Sequence, residues 1–417
     1  MIEPIAVQTW GPARRLEAVL CPVIPELAAL VRQTPGTLSL AQGMVAWYPP
    51  EAVATAVAAA LAAGGPELHR YGALQGDPQL LEAIATKLAT HNRLDLAGSA
   101  LLVTAGSNMA FHAVAQAIAE GPPGGPSEVI LPLPYYFNHV MAVQLAGAVP
   151  VLVEGGAIPD PDRLAAAITP RTRAIVTVSP NNPSGVVIPA PVLAAINRLC
   201  ALHGLFHISD EAYELFVHGR EPHWSAGSLP GSAAHTVSLH SLSKAYGMAG
   251  WRLGYMAVPA ALLPALHKLQ DTVLICPPRL TQHAACAALA AGPAWCAPRI
   301  AALAERRQQL LDAVASQQAQ GLPVRLLAEP DGAFYALLQL DRGAAGSLSG
   351  DTLMRRLVRE HRVAALSGES FGLEASRGGP VLRLSYGMLS GAELAEALDR
   401  LFRGLQLLLA SAGPSGP

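Results

Sequence analysis

Between residues 101 and 258, short runs rich in Val, Ile and Leu alternate with stretches of helical period, and polar residues collect where the runs stop. The runs at 101–104, 128–131, 149–153, 173–178, 205–209, 235–240 and 253–258 read as strands. Between several of them lie helical spacings, such as Phe111/Val114/Ala115/Ile118 and residues 192–202. This alternation predicts an α/β fold: a mostly parallel sheet with helices on both faces. Such sheets bind ligands beyond the carboxyl ends of their strands. Polar candidates fall at those ends, in 104–108, 181–185, Asp210 and 241–244.

From about residue 300 the pattern changes. A charged helical stretch (Glu305, Arg306, Arg307) precedes strands near 324–327 and 333–338, a helix near 352–361, a strand at 381–386 and a last helix at 392–409. We therefore expect an N-terminal arm and part of a small domain in 1–47, a large domain in 48–300 and a smaller α+β domain in 301–417. The tail 411–417 should fray, and 121–127 is a Pro/Gly loop without evident chemistry.

Composition narrows the partners. With 14% charged and 51% apolar residues, the chain can bury a large core and is not generally disordered. A net charge of −2 gives no footprint for nucleic acid or an anionic membrane. Mean hydropathy is +0.33, yet the longest low-polarity stretch, 52–65, is too short to span a bilayer and reads as a buried helix. Five cysteines show no CxxC or ligand spacing, and the 13 histidines show no HExxH, so no metal is expected. The N-terminus lacks a signal-peptide pattern, which points to a cytoplasmic protein.

The chemistry concentrates in Ser241-Leu242-Ser243-Lys244-Ala245-Tyr246-Gly247-Met248-Ala249-Gly250-Trp251-Arg252. A lysine that condenses with an aldehyde needs surroundings that depress its pKa. An aldehyde cofactor carrying a phosphate needs hydroxyls and an arginine fork to hold it. Pyridoxal 5′-phosphate is such a cofactor. The run resembles the lysine signature of the fold-type I, class I/II aminotransferases. A surface Lys-Arg loop is the bland alternative for this motif alone.

Other segments fit the same resemblance in order. Thr104-Ala105-Gly106-Ser107-Asn108 ends a strand and opens a helix, whose N–H groups favour a phosphate. An ordinary helix cap explains it equally well in isolation. The resemblance assigns Gly106, Ser107 and Asn108 to the phosphate side. In Leu133-Pro134-Tyr135-Tyr136-Phe137-Asn138-His139 it makes Tyr136 the ring that stacks on the cofactor, where core packing is the alternative. In 179–185, otherwise a proline-rich turn, it makes Asn182 a partner of the cofactor's phenolic oxygen. Asp210 would keep the pyridine nitrogen protonated and Tyr213 would reach the same phenolic oxygen; a capping Asp is the bland reading.

The resemblance further implies that Lys244 links covalently to the cofactor and then shuttles the proton. Ser241, Ser243 and Arg252 would complete the phosphate cup. Tyr71 matches the tyrosine lent to the neighbouring subunit's phosphate, implying a homodimer with a shared active site. Arg383, in an apolar strand, needs an anionic partner, and the resemblance makes that the substrate carboxylate. Gly43 belongs to the loop over the substrate.

Substrate preference follows from what is missing. Relatives acting on acidic substrates carry a second cation, a lysine at the position of Asn108 or an arginine shortly before a proline pair like Pro277–Pro278. Here 265–276 holds only Lys268, about one helical turn too early, while Leu274 and Ile275 are apolar. A distal carboxylate would lack a partner. The Gln42-Gly43 loop and 134–138 look like the branch that takes methionine and aromatic amino acids, with Trp47, Tyr48 and Tyr135 as candidate pocket walls. We expect transamination between such a donor and a 2-oxo acid. A C–S lyase, cyclase or oxidase would keep the same residues; an aminotransferase-like regulator would need a DNA-binding domain that about forty preceding residues do not supply.

Overall fold

The computed structural model describes residues 11–119, 124–219, 221–375 and 378–412. Among these residues the thirteen strands are β1 (Leu38–Ser39), β2 (Ser99–Thr104), β3 (Glu128–Pro132), β4 (Val149–Val153), β5 (Thr172–Val178), β6 (Phe206–Asp210), β7 (Thr236–Ser241), β8 (Gly254–Pro259), β9 (Val324–Leu326), β10 (Tyr335–Leu340), β11 (Val363–Ala364), β12 (Leu366–Ser367) and β13 (Val381–Ser385). Among the described residues the helices are α1 (Val23–Gln33), α2 (Glu51–Ala63), α3 (Pro78–Thr90), α4 (Ser107–Ile118), α5 (Phe137–Leu145), α6 (Pro161–Ala166), α7 (Ala190–His203), α8 (Leu263–Val273), α9 (Arg279–Ala319), α10 (Arg342–Ala345), α11 (Gly350–His361) and α12 (Gly391–Ala412).

Seven strands form one sheet in the order β2-β8-β7-β6-β5-β3-β4. The pairs β3·β4, β3·β5, β5·β6 and β6·β7 are parallel, and only β8 runs against its neighbours. Two antiparallel steps restore the direction of β2, so the strands bearing the polar candidates all end at the same edge. Side chains alternate across this sheet. Leu102, Leu131, Val237 and Met256 face a core shared with Phe111, Val140 and Leu266 of α4, α5 and α8. Ile130 and Ile175 face Leu164 of α6 and Ile196 of α7, while Val103, Tyr255 and Ala257 join α3 and α9. Both faces are covered, which is why β5 (TRAIVTV) is β-branched and buried along nearly its whole length.

The second unit is an antiparallel sheet, β12-β13-β10-β9, packed by α11 and α12. α11 is capped where Ser349 accepts from Thr352 N. The arm joins this unit: Leu38 and Ser39 pair in parallel with Val363 and Ala364, a pairing the sequence does not announce.

Two expectations need correction. The segment 52–65 is helical, but only Val53 of α2 is buried, because its alanine-rich surface has one covered side, against α9. α9 is long and apolar enough, by length and composition, to cross a membrane. Gly292, at φ 67°, breaks it, and the two halves serve the globular core through residues such as Ala285, Leu303 and Leu310. The fraying expected at 411–417 falls mostly in 413–417, and part of the 121–127 loop in 121–123, both outside the described residues.

Candidate active site

The carboxyl ends of β2, β5, β6 and β7 open into one cavity of about 80 Å³. Ser107, Asn108, Tyr136, Asn182, Asp210, Tyr213, Ser241, Ser243, Lys244 and Arg252 all line it. Residues up to 145 positions apart thus meet because a parallel sheet gathers its strand ends along one edge.

At one end lies an anion cradle. Gly106 has φ 89°, and a Cβ there would lie 2.5 Å from Arg252 Nη2, so only glycine lets the guanidinium close over the N-terminus of α4. Arg252 itself adopts φ 51°. It donates through Nη1 to Ala249 O at 2.9 Å and through Nη2 to Ala105 O at 3.3 Å. Ser243 N donates to Ser241 Oγ at 3.1 Å, which folds both hydroxyls into the same turn.

At the other end Asp210 is buried. Its Oδ1 accepts from Ala212 N at 3.1 Å and its Oδ2 lies 3.0 Å from His139 Nε2. His139 is stacked on Phe111, centroids 4.0 Å apart, and meets Tyr136 edge-on at 5.2 Å. Asn138 Nδ2 donates to the Tyr136 hydroxyl at 3.1 Å, and burial pushes that phenol's pKa up.

Lys244 stands between the two ends. Burial, then the Arg383 and Arg252 guanidiniums, bring its amine down to about 8, against a weaker opposing pull from Asp210. Nζ donates to Gly43 O at 2.5 Å, fixing the arm over the lysine. Arg383, from β13, is only 2% exposed. Its Nη1 donates to Asn182 Oδ1 at 2.9 Å and its Nη2 to Ala41 O at 2.5 Å, while Nε has no partner. Its guanidinium lies 4.5 Å from the centroid of Tyr335 and 5.1 Å from that of Phe371. Among the described residues no carboxylate lies within ion-pair distance of it. A buried cation held only by neutral groups is arranged to receive an anion from outside.

Some expected residues stand elsewhere. Tyr71 is 77% exposed and does not reach its own chain's cavity. Trp47 donates from Nε1 to Ala245 O at 3.0 Å and packs near Phe216, bracing the arm against the lysine turn. Tyr48 is on the surface, and Tyr135 is turned against Leu133 and Gly372. None of the last three lines the cavity within one chain. Conversely, sequence reasoning passed over His139, one helical turn beyond Tyr136 on α5, and Tyr335, whose hydroxyl lies 2.7 Å from that of Tyr213. It also passed over the buried carboxylates Glu211 and Glu214. These alternate with Asp210 and Tyr213 and point away from the cavity, to His223, Ser225, Lys87 and Asn92. The spacing 210/213 against 211/214 is the signal that could have revealed them.

An anion cradle, an amine with a lowered pKa and a buried carboxylate, all lining one cavity, match the phosphate, aldehyde and ring nitrogen of pyridoxal phosphate. Fold and site together define a pyridoxal-phosphate enzyme of fold type I.

Comparison with known proteins gives the family. Residues 36–401 match the model of aminotransferase class I and II. An aromatic aminotransferase of Arabidopsis thaliana is 31% identical over 410 residues, 95% of this chain and 97% of that protein. An arginine–pyruvate transaminase of Pseudomonas aeruginosa is 34% identical over 379 residues, 89% of this chain and 91% of that protein. An aspartate aminotransferase from Thermus thermophilus, solved with maleate, superposes with a TM-score of 0.84 at 32% identity, covering 95% of this chain and all of the other. The chain belongs to the class I and II aminotransferases: it is an enzyme that moves an amino group between amino acids and 2-oxo acids, with pyridoxal phosphate as cofactor.

Proposed function

We propose that the donor is a neutral amino acid with an apolar or aromatic side chain, of the methionine or aromatic type, and the acceptor a 2-oxo acid. The observation that carries this reading is where the cations stand. Lys244, Arg252 and Arg383 are committed to the cavity's own chemistry. The positions that would serve a distal carboxylate hold Asn108, Leu274 and Ile275, and Lys268 points to solvent from α8. An acidic side chain would be desolvated without a partner, at a cost of about 2–4 kcal/mol.

Bound pyridoxal phosphate supplies an aldehyde for amines to condense with and a ring that withdraws electrons from the substrate α-carbon. The residues supply the rest. Ser107, Asn108, Ser241, Ser243 and Arg252 hold the phosphate; Tyr136 covers the ring; Asp210, oriented by His139, keeps the ring nitrogen protonated. Asn182 and Tyr213 address the phenolic oxygen, Asn182 through the amide nitrogen that Arg383 leaves free. Arg383 grips the carboxylate beneath the Gly43 loop. The Lys244 amine, its pKa near 8, carries the proton from the α-carbon.

We further propose a homodimer in which Tyr71 serves the partner's phosphate. Leu61, Tyr71, Val273 and Ile275 are exposed. Gly72 N donates to Cys276 Sγ at 3.2 Å, which brings the Tyr71 and Ile275 segments side by side. α2 also leaves most of its apolar surface uncovered. A face of this kind suits a subunit interface. All five cysteines are free thiols, in keeping with a reducing, cytoplasmic compartment.

The test is a single-turnover absorbance scan of the loaded enzyme with methionine, phenylalanine, tryptophan, aspartate and arginine in turn, no oxo acid present. Conversion by the apolar donors and not by aspartate supports the pocket. Conversion by aspartate alone overturns it. Mixing Lys244→Ala with Tyr71→Ala subunits should restore activity at one site per hybrid dimer, and no recovery refutes the shared site.

A further inference from the structure

Tyr335 opens β10 in the small domain and is fully buried, yet its hydroxyl has one hydrogen-bond partner, the Tyr213 hydroxyl at 2.7 Å. Its ring lies under the Arg383 guanidinium. Gly43 sits on it so closely that a Cβ at 43 would lie 2.5 Å from the Tyr335 oxygen. One side chain therefore touches the phenol that lines the cavity, the carboxylate-binding arginine, and the loop whose carbonyl receives Lys244.

A phenol has one proton to give and two lone pairs to receive with. Tyr213 can spend its proton toward the cofactor's oxygen only if the 2.7 Å contact is made with Tyr335 as donor. We propose that Tyr335 is a positioning residue: its hydroxyl donates to Tyr213 and so directs the Tyr213 proton into the cavity, while its ring holds Arg383 flat for the substrate carboxylate. Burial pushes the Tyr335 phenol up to about 12 and raises Tyr213 well above its ordinary value, so both remain protonated donors at working pH. Donation into Tyr213 also polarises that hydroxyl, strengthening its own bond onward. The small-domain strand that pairs with the arginine strand, Tyr335 opposite Ser385, thereby touches both carboxylate recognition and the cofactor's electronics.

The experiment is a double-mutant cycle on the loaded enzyme, read as the pH midpoint of the bound cofactor's visible absorbance. Tyr335→Phe keeps the ring and the fold and removes one oxygen. With a weaker donor from Tyr213, more charge stays on the cofactor's phenolic oxygen and holds the neighbouring proton more tightly. The midpoint should rise by roughly half a unit or more, with kcat about 10-fold lower and KM for the best donor within about 3-fold, since the ring under Arg383 remains. In a Tyr213→Phe background the same substitution should move the midpoint no further. An unchanged midpoint in Tyr335→Phe overturns the proposal. So does an additive shift in the double variant, which would give the hydroxyl a structural role independent of Tyr213. The readout needs no particular substrate, so failure here is separate from failure of the substrate assignment.

Discussion

Asn182 Oδ1 accepts a 2.9 Å hydrogen bond from Nη1 of Arg383, tying the turn after β5 to strand β13 of the other sheet. Arg383 is thus held as a fork whose geometry a lysine cannot copy. Arg383→Lys should raise KM for the amino donor about 100-fold or more, with cofactor content unchanged. Steady-state kinetics and the absorbance of the purified protein measure both.

Asp210 and His139 form the buried pair behind the cavity. Asp210→Ala should leave the fold intact by circular dichroism and lower kcat by about 100-fold or more. His139→Asn keeps a donor near Asp210 but loses the stack on Phe111, and about 10-fold in kcat is expected. Equal losses in the two variants would contradict an orienting role for His139.

Lys244 carries a folded-state pKa of about 8 against an ordinary 10.5. Between those values the unfolded chain binds the proton more tightly, so stability rises with pH across this window. Below pH 8 the strained cation costs the fold its full penalty. In cofactor-free protein, Lys244→Met should therefore be more stable by about 1–3 kcal/mol at pH 7, discounted for partial exposure. The advantage should vanish near pH 10.5. Thermal melts of the two apoproteins across this range test it.

Glu214 is held well below its ordinary 4.5, despite opposing burial, chiefly by Lys87 and His240. A depressed carboxylate contributes fully above its unfolded value and loses that contribution as pH falls toward the folded one. Glu214→Gln leaves Lys87 buried beside a neutral amide and should cost about 3 kcal/mol at pH 7. The deficit against the parent protein should shrink below pH 4.5, which melts at pH 7 and pH 4 compare.

Gly106→Ala combines a φ of 89° with a Cβ 2.5 Å from Arg252 Nη2. We expect about 1–3 kcal/mol of destabilisation and a weaker hold on the cofactor, seen as faster loss during dialysis.

The strand starts and stops of the large sheet were readable because each run is apolar, β-branched and cut off by a polar turn, as at Val178–Ser179 and Ser209–Asp210. The two-residue strands β1 and β11 were not, because they exist only by pairing with each other across more than 300 residues. The burial of 52–65 departs from expectation for a related reason. Alanine reads as core, yet whether a helix face is covered depends on a neighbour that the local sequence does not name.

The order of motifs around Lys244, Asp210, Asn182 and Gly106 was determined by the sequence alone, since each needs a particular residue type beside a strand end. That determined the family, the cofactor and the class of reaction. What only the tertiary structure decided is which groups face one another: His139 behind Asp210, Tyr335 against Tyr213, Asn182 bonded to Arg383, and Tyr135 turned away while Tyr136 lines the cavity. Periodicity assigns a residue to a face of its own element. The large sheet's crossovers and the packing of the second sheet bring two such faces within 3 Å, and these long-range contacts leave no mark in local spacing.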